Sequence, residues 1–541
     1  MGAYLNSQTP YTLYQSESRS PYFVVKTMLL QELFPYVAAG NRHLCVTRPR
    51  RFGKTIAANM ISSFFQKGID SGELFDRLKI SEADDCQKYK NKYNVIRIDF
   101  SKMPRNCESY RQYIERVEEL LISDLREAYP DAKTSETDAI GDILEEIFQQ
   151  YHGEKFIFVL DEWDFIFHRG FITEADKAKY VAFLSNLLKD RPYVILSYMT
   201  GILPIAKYSS GSELNMFAEF TMVNSPMFGT YFGFTDDEVD DLYERYCREC
   251  EKQRKIKNVT RKGLRDWYNG YYTKSGERVY NPRSVVFALQ FNNLANYWTS
   301  SGPYDEIYYY IRNNVSDVRD DLALMAAGES VSAKIQEYAA TSMNLSTRDE
   351  IYSAMVVYGF LSYLNGKVSI PNRELMEKFD ELLMKNESLG YVYRLAKESE
   401  KMLKATLAGD THTMEKILEL VHDTEVPLLS YNHETELSAI VNLVYLAARD
   451  SYRVEREDKA GVGYVDFIFY PYDLTADGII LELKVDHTPE EAIQQIKDRK
   501  YALKFVPRLA EQKKYTGKIL AVGIGYEKTE KKHRCRVESL N

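Results

Sequence analysis

Arg48-Pro49-Arg50-Arg51-Phe52-Gly53-Lys54-Thr55 decides how the first part of this 541-residue chain folds. The stretch ends as a nucleotide-triphosphate loop of pattern G-x-x-x-x-G-K-[ST] ends, but Arg48 stands where that pattern has its first glycine. The matching half is the half that meets phosphate. Gly53 lets the backbone approach, Lys54 reaches the β- and γ-phosphates, and the Thr55 hydroxyl is a ligand for Mg²⁺. In the other half Arg48, Arg50 and Arg51, followed by Phe52, offer guanidinium charge in place of a glycine-rich nest of amides, and Pro49 has no N–H to donate.

A phosphate loop requires a strand before it and a helix after it. The apolar segment His43–Thr47 leads into this one, and Ile56–Ile61 follows with helical spacing. Further buried-type strands are expected at Asn94–Phe100, at Lys155–Leu160 and at Tyr193–Thr200, which ends at Gly201. Near-continuous apolar strands alternating with helices predict an α/β fold with a parallel sheet covered on both faces. Asp161 and Glu162 end the second of these strands, where Mg²⁺ finds carboxylate oxygen and a water must be activated. Asp161 is the candidate for the metal shell and Glu162 for the catalytic group that polarises water. Thr200 is placed by strand order as a polar sensor of the γ-phosphate, and Asp164 as an organiser of that edge or a plain helix cap.

The chain is too long for one core, and about three or four units are expected. We divide it into a nucleotide-loop domain over 1–234, a helical lid region over 235–344, a helical connector over 345–430 whose segment 345–380, a helix followed by Val368–Asn372, is a winged-helix-like candidate, and a last domain over 431–541. Thr235 followed by Asp236-Asp237-Glu238 marks a helix start, as does Thr488-Pro489-Glu490-Glu491. The last domain reads α-β-β-β-α-β. Asp466 lies on one of its strands and Glu482-Leu483-Lys484 on the next, with Glu482 and Lys484 on one face. Two carboxylates and a lysine so placed can hold a divalent metal and orient a water against a phosphodiester. Glu434 is a candidate third carboxylate, with Glu436 competing, and Gln495 on the following helix can reach the same pocket. An exposed Glu-Lys pair on a half-buried strand is the plain alternative.

Together these motifs resemble the AAA-ATPase-like proteins that carry a C-terminal nuclease domain of the PD-(D/E)XK superfamily. The R-P-R-R-F-G-K-[ST] loop of that family matches Arg48–Thr55, and its D-E-Y-D matches Asp161-Glu162-Trp163-Asp164 with Trp163 in place of the tyrosine. Its T-G, G-F-T-x-x-E, Y-x-G-Y, Y-N-P-x-S and W-x-x-x-G elements match Thr200-Gly201, Gly233–Glu238, Tyr268–Tyr271, Tyr280–Ser284 and Trp298–Gly302. Its G-R-x-D, E-L-K and Q-x-x-x-x-x-Y match Gly463–Asp466, Glu482–Lys484 and Gln495–Tyr501. The chain departs at Val25, where the family's Y-x-D-K-T has its acid, and at Tyr464, where G-R-x-D has its arginine. The resemblance implies a restriction-endonuclease-like last domain, ATP and Mg²⁺ as cofactors with Mn²⁺ able to substitute at the second site, and DNA or RNA as partner.

Composition narrows the rest. A net charge of −9 argues against a protein that coats nucleic acid non-specifically, while leaving room for a local basic channel. Six scattered cysteines suit a reducing compartment, and no apolar run approaches a bilayer span, so a cytoplasmic location and no membrane partner are expected. Cys247 and Cys250 have metal spacing without a second pair. Two functions follow: an ATPase coupled to a metal-dependent nuclease, or a nucleotide-switched scaffold whose nuclease fold has lost turnover. An arginine supplied by a neighbouring subunit, and with it a homo-oligomer, is a further alternative.

Overall fold

Apolar strands that carry few charges must be covered on both faces, and the first unit is built that way. The computed structural model describes residues 2–39, 42–135, 137–205, 213–298, 315–335, 345, 347–420, 434–459, 464–499, 501 and 515–540. They fall into two compact units, one drawn from 1–303, 333–345 and 349–374, the other from 304–332, 346–348 and 375–541.

In the first unit, β1 (His43–Thr47), β2 (Asn94–Asp99), β3 (Phe156–Asp161), β4 (Val194–Gly201) and β5 (Ala218–Phe220) form a parallel sheet in the order β2-β3-β4-β1-β5. Every residue of β1 and β3 is buried. Helix α1 (Lys54–Phe65) starts directly after Gly53, whose φ of 90° is the left-handed turn that glycine adopts without strain. The sequential order breaks around β1, which lies between β4 and β5, and in open parallel sheets ligands bind at the carboxyl edge of such a point.

Thr235 caps the helix Asp236–Gln253 through a reciprocal capping box with Glu238, as its sequence predicts. Helix α2 (Arg348–Tyr358) leads into a short antiparallel hairpin, β6 (Ser362–Leu364) with β7 (Lys367–Ser369).

In the second unit, α3 (Glu434–Val444) precedes β8 (Tyr452–Lys459), β9 (Tyr464–Pro471) and β10 (Gly478–Val485), then α4 (Pro489–Asp498), β11 (Ile519–Glu527) and β12 (Lys532–Leu540). The sheet runs β8-β9-β10-β11-β12, antiparallel except for the β10–β11 pair. A parallel pair needs a crossover, and α4 is the described part of it. Thr488 caps α4 and Pro489 opens it. Gly523 on β11 lets α4 dock, since a Cβ there would lie 2.2 Å from the Pro489 carbonyl oxygen. The αβββαβ order expected from sequence is present and gains β12, whose alternation buries His533 and Cys535 between exposed Arg534 and Arg536. Among the described residues, no helix is long and apolar enough to cross a membrane.

Candidate functional site

The phosphate loop is held by its own main chain. Lys54, 4% exposed, donates to the Arg48 and Pro49 carbonyls at 3.1 Å each. Burial holds its ammonium below the ordinary lysine range, opposed by Glu162, Asp164 and Asp161. The three arginines separate. Arg48 is buried, donates to the carbonyls of Thr47, Phe220 and Phe228, and lies over the Phe232 ring. Arg50 is half-buried and acts electrostatically on Lys54, Glu162 and His168. Arg51 is exposed, with a left-handed φ of 72°.

Asp161 is fully buried at the end of β3 and accepts from Arg97 at 2.9 Å on Oδ2. Its Oδ1 makes no hydrogen bond among the described residues. Burial raises its carboxyl to about 6, with Arg97 and the Thr55 side chain pulling the other way. Glu162 follows at a φ of 53°, a strained position for a residue with a Cβ. Burial raises its pKa, and Lys54 lowers it. The turn that carries these acids is pinned to the end of β4. Asp164 Oδ2 accepts from the N–H groups of Ile202 and Leu203 at 2.9 and 2.7 Å, and the Trp163 indole donates to the Leu203 carbonyl at 3.2 Å. Thr200 is buried, and its hydroxyl donates to the Val46 carbonyl at 2.8 Å. Gly201 is required because a Cβ would fall 2.4 Å from Asp164 Oδ1.

The second site lies on β9, β10 and α4. Glu482 is 3% exposed; Lys484 donates to its Oε1 at 3.4 Å, and the Gln495 amide donates to the same oxygen. Glu482 Oε2 is buried without a partner among the described residues. Burial, and then the neighbouring Asp466 charge, push this carboxyl up to about 7. Asp466 accepts from the Leu483 N–H at 2.7 Å across the strand pair. Sequence spacing therefore brings Asp466, Glu482, Lys484 and Gln495 together. Glu434 begins α3, its side chain lying outside the described set; Glu436 is half-buried on the same helix. His487 pairs with Glu491, and Tyr501 is buried and accepts from Arg499 at 3.1 Å. Gly463 lies outside the described residues.

Neither carboxylate set is a closed metal cage: among the described residues, no three His, Cys, Asp or Glu side chains gather to hold an ion. Among the described residues, Asp161 Oδ1 and Asp164 Oδ1 in the first set and Glu482 Oε2 in the second are nonetheless buried without a hydrogen bond, and such an oxygen is what a hard cation fits.

Residues 15–210 match the family model described as predicted AAA-ATPase, and residues 435–532 match that of the PD-(D/E)XK nuclease superfamily. The chain joins an AAA-ATPase-like domain to a PD-(D/E)XK nuclease superfamily domain. A curated protein of Azotobacter chroococcum mcd 1, an uncharacterized protein in vnfD 5'region, is 23% identical over 290 residues, 52% of this chain and 51% of that protein. The chain spans about half the length of the curated relative it matches. Among solved structures, the Walker-type ATPase of Pyrococcus abyssi is similar with a TM-score of 0.37 and 12% identity, covering 65% of this chain and 94% of that one. A signal-transduction ATPase with a tetratricopeptide repeat sensor from Pyrococcus horikoshii gives a TM-score of 0.22 and 14% identity, covering 79% and 53%.

In the AAA-ATPase-like domain and the helices after it, the remaining motifs meet one another. Lys26 of the N-terminal motif pairs with Glu238 of G-F-T-x-x-E at 2.6 Å. Tyr271 packs edge-on to Phe52 of the phosphate loop, their ring centroids 5.0 Å apart. Ser284 and the Trp298 N–H both donate to buried Glu374. Gly359, at a φ of 84°, lets the turn after α2 rest on the loop, since a Cβ would come within 2.6 Å of Pro49 Cβ. Glu374 and Gly359 carry no local signal, because each acts on segments far away in sequence. Arg97 and Asp99 are also missing from the sequence reading. Their signal was two charges alternating with Ile96 and Ile98 on an otherwise buried strand.

Proposed function

We propose that the first unit binds and hydrolyses ATP and that the second cleaves phosphodiester bonds of DNA or RNA, each with a divalent metal. In this reading Lys54 neutralises β- and γ-phosphate oxygens, and Thr55 and Asp161 hold Mg²⁺. Glu162, its pKa raised by burial, accepts the proton of the attacking water, while Asp164 fixes the turn that aims it. Arg50 and Arg51 bring charge to the loop, Arg48 supports it from behind through carbonyls, and Thr200 senses the γ-phosphate only if its bond to Val46 opens. In the second unit Asp466 and Glu482 hold the cation, Mg²⁺ or Mn²⁺, Lys484 orients the water or the scissile phosphate, and Gln495 fixes Glu482. A bound divalent cation supplies Lewis-acid charge to a phosphoryl oxygen and acidifies water. All six cysteines are free, which supports a cytoplasmic setting.

The observation that carries the nuclease reading is buried Glu482, with one oxygen held by Lys484 and Gln495 and the other without a partner among the described residues. Tyr464, at the arginine position of G-R-x-D, favours the second reading, a nucleotide-switched scaffold with an inactive nuclease fold. Separate assays of ATP hydrolysis and of DNA and RNA cleavage, with Mg²⁺, Mn²⁺ or chelator, decide between them. The proposal expects cleavage that disappears in Glu482→Ala and Lys484→Ala. Nucleic acid bound but never cut, under any metal or nucleotide, supports the scaffold.

A further inference from the structure

A buried arginine on an apolar strand is costly to desolvate unless carboxylates answer it. Arg97, 8% exposed and flanked by fully buried Ile96 and Ile98, lies between two of them. Its Nη2 donates to Asp161 Oδ2 at 2.9 Å, and its Nη1 lies 3.6 Å from Asp99 Oδ2. Asp99 and Asp161 are register partners across the β2–β3 ladder, so two like charges end adjacent strands. Strands lie about 4.8 Å apart, close enough for those carboxylates to repel one another without a cation between them.

We propose that Arg97 is a positioning residue for nucleotide hydrolysis, its guanidinium fixing Asp161 by one oxygen so that the other is presented beside Thr55. This rests on the ATP-site reading above. The planar fork sets orientation as well as charge, which a point charge does not reproduce. Asp161 Oδ2 is committed to Arg97, Oδ1 is the oxygen without a hydrogen bond among the described residues, and the Thr55 side chain lies at the same carboxylate. Asp99 is steadied separately, its Oδ1 accepting from the Ser101 N–H and hydroxyl, so the guanidinium bridges two fixed points. Residues that hold a metal-binding side chain in place typically contribute about tenfold to hundredfold to metal affinity or activity.

The test uses the full chain and a fluorescent ATP analogue titrated with and without Mg²⁺, beside steady-state ATP hydrolysis, for wild type, Arg97→Lys and Arg97→Met. The expected result is nucleotide affinity without Mg²⁺ within about threefold of wild type, and a half-saturating Mg²⁺ concentration raised about tenfold or more in Arg97→Met. The turnover number falls while KM for ATP changes little, and Arg97→Lys recovers part of both effects. Folded variants with wild-type Mg²⁺ dependence in binding and turnover overturn the inference and leave the ATP site standing. Loss of folding in both variants assigns Arg97 to the fold and overturns it too. A wild-type protein with no Mg²⁺-dependent nucleotide binding overturns the ATP-site reading itself, and this inference with it.

Discussion

The phosphate-loop site and the Glu482 site both bury carboxylates, and they answer that buried charge with different materials. At the first, the acids are surrounded by main chain and built-in cations: Lys54 on the loop carbonyls, Arg97 on Asp161, and Asp164 on two backbone N–H groups. At the second, one lysine and one amide meet Glu482 from β10 and α4. Asp161 rises to about 6 and Glu482 to about 7, burial leading in both. The difference lies in the counter-charge: a buried guanidinium donates to Asp161 at 2.9 Å, whereas Lys484 stands 3.4 Å from Glu482. The carboxylate of the first site is therefore held by a closer built-in cation than that of the second.

Crossed substitutions give the largest expected effect. Lys54→Ala lowers ATP hydrolysis by about two orders of magnitude or more, and Glu482→Ala does the same to cleavage, each leaving the other activity measured alone within about twofold. Loss of both activities in either variant breaks the comparison, because the sites then share one machine at the level of chemistry.

The next effect is the pH dependence of the second site. A carboxyl whose folded pKa exceeds its unfolded value binds its proton more tightly when folded, so it costs nothing below about pH 4.3 and destabilises as pH rises toward 7. Relative to Glu482→Gln, the metal-free wild type should lose about 3 kcal/mol across that interval, read from denaturant unfolding of the second unit at a series of pH values. A flat difference shows that Glu482 is not held in the environment described.

Asp164→Ala leaves the Ile202 and Leu203 N–H groups without their acceptor and should destabilise the first unit by about 1–3 kcal/mol, measured by chemical denaturation. Activity lost with no change in stability gives Asp164 a chemical role instead. The smallest effect separates strain from contact. Gly359→Ala and Gly366→Ala both enter left-handed backbone, at φ 84° and 81°, but only the first meets Pro49. The left-handed backbone costs Gly366→Ala about 1 kcal/mol, Gly359→Ala costs more because its Cβ meets Pro49, and Gly359→Ala alone weakens nucleotide binding a few-fold in a fluorescence titration.

Legibility in the sequence followed the range of the interactions. Strands β1, β3 and β10, the loop, and the Asp161-Glu162 and Glu482-x-Lys484 patterns are local, and their periodicity or capping residues stand next to them in the chain. β12 was within reach, since Lys532–Leu540 alternates, but it is charged on its exposed face and becomes a strand only by pairing with β11. Arg48 shows the other limit. Three arginines in the loop read as three phosphate ligands, and only the positions of Phe220 and Phe228 turn one of them inward.

By itself the sequence determined the α/β order, the capped helices and the residue types that could touch phosphate or metal, because backbone preference and hydrophobic alternation act over a few residues. The tertiary structure decided which of those groups meet. Arg97 reaches Asp161 across 64 positions, and Gly359 reaches Pro49 across the whole helical region. Burial, which raises the Asp161 and Glu482 carboxyls, exists only once those distant segments exclude water together.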